Sequence, residues 1–74
     1  MSRLPVLSGR LVVTALAGIG YEKDRQKGSH IIMRQRTSPY RRIVVPDHHE
    51  IAKGTLRNII RQTGLTVAEF EKLL

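Results

Sequence analysis

Six glycines and three prolines divide this 74-residue chain into short pieces, and that punctuation limits its fold more than any other feature. Gly18 and Gly20 stop a run in which Val12, Leu16 and Ile19 recur at helical spacing, with Val13 and Ala15 widening the stripe. Gly28 separates two alternating segments, the second holding the β-branched pair Ile31 and Ile32. Pro39 falls in the turn cluster Arg36-Thr37-Ser38-Pro39. Pro46, which cannot donate to a sheet ladder, closes a third extended run. Gly64 ends a second helical stripe made of Leu56, Ile59 and Ile60.

The pieces predict an element order. A helix is expected over Gly9–Ile19, with Ser8 as its N-cap and Leu7 and Val12 as a hydrophobic staple. Gly20 is the better stop of the two glycines, because Tyr21 opens an alternating run. Strands are expected over Tyr21–Gln26, Ser29–Arg36 and Arg41–Val45, and a helix over Thr55–Thr63. Thr66 and Glu69 form a capping box, and Leu65 and Phe70 the matching staple, for a last helix from Val67 to Leu74. Val12, Leu16, Leu56, Ile59, Ile60 and Phe70 are the expected core. The order α-β-β-β-α plus a short C-terminal helix implies an α+β fold: a three-stranded antiparallel sheet with helices on one face, as in the double-stranded-RNA-binding domain. Ile31 and Met33 share one face of the second strand, His30, Ile32 and Arg34 the other, and the pattern leaves open which is covered.

Charge narrows the partners. Thirteen Lys and Arg against six Asp and Glu give a net charge of +7, an excess that attracts nucleic acid or an acidic protein. The excess is clustered: Arg25, Lys27, Arg34, Arg36, Arg41 and Arg42 span eighteen residues with no acidic one among them. With no cysteine, neither a disulfide frame nor a zinc-thiolate site can form. Met1 to Leu7 is too short and interrupted for a signal peptide, and Leu11 to Ile19 covers about half of a membrane span. A cytoplasmic, reducing compartment is the default expectation.

Within the basic band, Arg25-Gln26-Lys27-Gly28-Ser29-His30 sets a lone histidine just past a glycine-serine turn. Histidine titrates near pH ~6.5 when unperturbed, so His30 can take or give a proton at neutral pH. Arg25, Lys27 and Arg34 would hold phosphate, and bare backbone at Gly28 and Ser29 would let it approach. From the residues alone, an idle surface histidine is an equally good account of His30. For the cations a solvated charged face is the ordinary alternative, with binding favoured for Lys27 and more weakly for Arg25. His48 is a possible accessory proton-transfer group, with a structural role favoured. Glu22 and Asp24 are expected to balance local charge. Adjacent His48, His49 and Glu50 make a poor metal cage, so neither metal nor cofactor is expected.

In order, Leu4-Pro5, Ser8-Gly9, Gly20-Tyr21, Arg25-Gln26-Lys27-Gly28-Ser29-His30, Val45-Pro46-Asp47-His48, Gly54-Thr55-Leu56-Arg57, Gly64-Leu65-Thr66 and Phe70 resemble the HicA-type toxin family. The resemblance spans nearly the whole chain, so residues 1–74 are expected to be one HicA-like domain. It departs at Leu11, where a polar residue is commoner, and at Gln35, where the family often shows a second histidine. The resemblance implies an endoribonuclease that cleaves mRNA in the bacterial cytoplasm, and the lack of a credible metal cage makes its cleavage expected to be metal-independent. It also implies that His30 is catalytic and that the partner is a HicB-type antitoxin. The +7 charge makes that partner expected to be acidic, and it is expected to cover the active site. The competing reading is a non-catalytic double-stranded-RNA-binding module, whose cations would be expected at a helix start rather than on a hairpin.

Overall fold

The computed structural model of the chain describes residues 4–74. Residues 1–3, the start of the Met1–Leu7 stretch considered above, lie outside the described residues. The order is α1 (Gly9–Ala17), β1 (Tyr21–Lys27), β2 (His30–Gln35), β3 (Arg42–Pro46), α2 (Lys53–Thr63) and α3 (Val67–Glu71). This is the expected α-β-β-β-α fold with a short C-terminal helix, and the sheet is antiparallel in the order β1-β2-β3.

Caps set the helix ends. The Ser8 hydroxyl accepts from the Leu11 amide at 3.2 Å, occupying one of the four amides left unpaired at a helix start. Helix α1 stops at Ala17, two residues before Ile19. Gly18 keeps a helical φ of −68° as its C-cap, and the chain turns away at Gly20, where φ is +96°. Helix α2 begins at Lys53, before the expected Thr55, without a side-chain cap, and Gly64 ends it at φ +80°, a conformation that suits glycine best. The α3 capping box is complete: Glu69 N–H donates to Thr66 Oγ1 at 3.1 Å, and Thr66 N–H donates to Glu69 Oε1 at 2.8 Å. The Thr66 amide and hydroxyl hold the Glu69 carboxyl below its usual pKa range. Regular α3 ends at Glu71 rather than Leu74.

The helices cover one face of the sheet. Ile31 and Met33 of β2 and Ile43 and Val45 of β3 point into a core shared with Val12 and Leu16 of α1, Leu56, Ile59 and Ile60 of α2, and Phe70 of α3. All six expected core positions are buried, and each large one contributes about 1.5–3 kcal/mol on leaving water. The face of β2 that the pattern left undecided is therefore settled: Ile31 and Met33 are covered, while His30, Ile32 and Arg34 lie on the open side.

A β-bulge decides what joins them there. Tyr21 and Lys23 pair with Gln35 and Met33 on the covered side, and the register then shifts between Lys23 and Arg25. Asp24 is the extra residue, after which Arg25 pairs with Ile32 and Lys27 with His30. Strict alternation from Tyr21 would have turned Arg25 and Lys27 toward the helices. The bulge returns both cations to the open face.

Candidate nucleic-acid interface

His30 opens β2, exposed, opposite Lys27 on one neighbouring strand and Pro46 on the other. The preceding turn is tied down from several directions. Gly28 has φ +59°, so a side chain there would be strained although open space surrounds it. The Ser29 carbonyl accepts from the Asp47 amide at 2.6 Å. Beneath, Gln26 Nε2 donates to the Gly28 carbonyl at 3.1 Å and to Asp47 Oδ2 at 3.3 Å, and Gln26 Oε1 accepts from Lys23 Nζ at 3.0 Å. Arg10 of α1 reaches the same carboxylate at 3.6 Å. The histidine thus stands on a braced backbone although its imidazole faces solvent.

Around it the open face has an apolar middle and a cationic rim. Half-buried Ile32 and 48 % exposed Val44 are cross-strand partners at the centre. Arg25 and Lys27 flank them on β1, and Arg34 and Arg42 lie at the end away from His30. Asp24 pairs with Arg42 at 3.5 Å across the middle strand, and Glu22 with Arg36 at 3.9 Å, so both carboxylates do offset local cations. Among the described residues, no ion pair holds Arg25, Lys27 or Arg34.

Arg34 differs from the other two. Its Nε is buried without an acceptor, and its guanidinium lies 4.9 Å from the centroid of the Tyr40 ring. The sequence carried no signal for Tyr40, an isolated aromatic in a turn.

His48 lies one residue past the Asp47 anchor. Its carbonyl accepts from the Gly9 amide at 2.9 Å, so what it holds together it holds through the main chain. Its exposed side chain lines a cleft of about 490 Å³ with Ser8, Arg10, Asp47 and His49. A second cleft of about 360 Å³, between α1 and β1, is lined by residues including Val13, Lys23 and Gln26. His30 lines neither; it stands on the sheet face. His48, His49 and Glu50 do not gather as ligands, and among the described residues no three His, Cys, Asp or Glu form a metal-holding group. Gln35, in place of a second histidine, spends its side chain on the hairpin, where its Oε1 accepts from the Arg41 amide at 2.9 Å.

The arrangement defines a class: a small α+β domain that presents one exposed histidine on an uncovered, cationic sheet face. The family model described as the HicA toxin of bacterial toxin–antitoxin matches residues 9–65, and the chain belongs to that family. Membership makes it the toxin of a toxin–antitoxin pair, with RNA as substrate, an antitoxin as partner and a general nuclease character. Comparison with curated protein sequences gave no match. Among the described residues, no helix is long and apolar enough to cross a membrane.

Proposed function

We propose that the chain is an mRNA endoribonuclease that works without a metal, with His30 as the group that moves the proton. The observation that supports this most is the placement of His30 on the open face between Lys27 and Pro46, with Arg25 on the same side. In such a reaction the substrate's 2′-hydroxyl loses its proton and its oxygen attacks the adjacent phosphorus. The bond to the 5′-oxygen breaks, and that oxygen takes up a proton as it leaves. His30 serves as base or acid, while Arg25 and Lys27 stabilise the charge that builds on the phosphorane oxygens. Gly28 and Ser29 offer a turn without bulk for the phosphate to approach, and Arg34 contributes to holding the RNA.

The products expected are a cyclic phosphate and a free 5′-hydroxyl, formed undiminished in the presence of a chelator. End-group analysis of a cleaved oligonucleotide checks both. Restoration by magnesium after chelation, or equal cleavage of a substrate that is 2′-deoxy at the cut site, would overturn the mechanism. The non-catalytic alternative predicts binding with no new RNA ends at all.

The antitoxin is proposed to be of HicB type, acidic, and seated over the Arg25–Arg42 band so that it shields His30 sterically. An apolar centre at Ile32 and Val44 with a cationic rim suits such a partner, because apolar anchors govern dissociation and rim charge governs association. The association rate should fall as salt is raised, and carbethoxylation of His30, followed by peptide mass, should be blocked in the complex. A complex in which His30 reacts as fast as in the free toxin would rule out steric shielding.

A further inference from the structure

We propose that Tyr40, backed by Arg34, is a stacking platform for one unpaired RNA base at the far end of the face that carries His30. The proposal rests on the ribonuclease reading and adds a specificity subsite to it. Three observations support it. Tyr40 is 48 % exposed, so its ring is accessible to a partner. Its backbone sits at φ +57°, which a tyrosine seldom adopts, and the Tyr40 amide donates to the Thr37 carbonyl at 2.9 Å. Behind the ring stands the Arg34 guanidinium, 4.9 Å from the centroid, with Nε buried and no hydrogen bond or ion pair found for the side chain among the described residues.

The turn does not need this stack to close. Gln35 N–H donates to the Arg41 carbonyl at 2.9 Å, and the Gln35 side chain accepts from Arg41 N–H, so two bonds already join its ends. The Arg34 cation against one face of the exposed ring makes a platform of the kind RNA uses: unpaired bases stack on aromatic rings and on arginine planes alike.

Position completes the argument. Arg34 lies four residues beyond His30 on the same face of β2, which is about 13 Å at the usual strand rise. That exceeds the ~3.4 Å between stacked nucleotides, so the base held at Tyr40 lies a few nucleotides from the cleaved bond rather than beside it. Ile32 and Val44 pave the interval, and Arg42 borders it, though already paired with Asp24.

The test uses the full chain and a fluorescein-labelled single-stranded RNA of about 12 nucleotides, 2′-O-methylated so that it cannot be cut. Tyr40→Ala and Tyr40→Leu should weaken binding by about 5- to 100-fold, while Tyr40→Phe and Tyr40→Trp keep it. The leucine variant retains apolar cover without a π-face, so a loss shared by both with melting curves like the wild type's is not one of folding. A single abasic nucleotide at one position should cost the same factor in the wild type and nothing further in Tyr40→Ala. Unmodified RNA, assayed in parallel, separates the two readings. If the wild type cuts RNA and Tyr40→Ala binds as well as wild type, the platform alone is overturned. If Tyr40→Ala instead weakens only antitoxin binding, the ring is a protein anchor and the proposal fails. If the wild type cuts no RNA, the ribonuclease reading falls and takes the subsite with it.

Discussion

His30→Ala is expected to slow RNA cleavage by about 10²–10⁴-fold, the usual worth of a positioned proton-transfer group. Growth arrest on expression should disappear with it. The same variant should unfold within about 0.5 kcal/mol of wild type, because the imidazole is exposed and leaves no cavity. The turn beside it is held by main-chain and Gln26 contacts that do not involve the ring. Loss of activity with an unchanged melting curve is therefore the result that assigns the chemistry to His30. Cleavage at the wild-type rate would remove it from the reaction. His48→Ala is the informative companion. Its ring lies in the cleft beside α1 rather than on the sheet face, so its removal should leave the rate nearly unchanged. A loss as large as that of His30→Ala would make His48 the second proton-transfer group.

What could be read in the chain before folding was whatever depends on neighbours in sequence. The Thr66–Glu69 box, the Ser8 cap and the Gly64 stop are local arrangements, and each formed as its residue types require. Helix stripes were legible for the same reason, since Leu56, Ile59 and Ile60 meet the core by periodicity alone. The bulge at Asp24 was not, because alternation cannot show where an extra residue enters. Arg25 and Lys27 do share a strand face, as their spacing requires, but only the bulge makes it His30's face. Tyr40 was passed over for a related reason: its partner Arg34 is fixed by the return of the hairpin, not by sequence spacing. Strand ends moved by no more than one residue. Pro46 ended up inside β3 because an edge strand has one unpaired side, where a missing N–H does no harm.

Gly9 was legible only as part of a resemblance, and it carries the largest expected effect on stability. It is the buried first residue of α1, and its amide donates to the His48 carbonyl at 2.9 Å. A Cβ placed there would lie 2.0 Å from the Pro46 carbonyl oxygen, 3.0 Å from its carbon and 3.1 Å from the Asp47 Cα. All three atoms are backbone, so no side chain can swing aside to make room. Gly9→Ala must push α1 away from the end of β3. Overpacking of this kind costs about 1–3 kcal/mol, and the lost Gly9–His48 bond adds about 1 kcal/mol. In a domain of this size each kcal/mol moves the melting point by about 4–8 °C, so a drop of roughly 10 °C or more is expected. Gly54→Ala is the control: it sits in α2 with nothing within 4 Å and should be neutral or stabilising by up to about 1 kcal/mol. Activity should suffer too. Asp47 also receives Gln26 and Arg10, and its amide holds the Ser29 carbonyl beside His30. Displacing α1 therefore shifts the histidine's support, and cleavage should fall even below the melting transition. A Gly9→Ala protein that melts with wild type would mean that the helix start can slide from Pro46 freely, and that the brace under His30 does not depend on this contact.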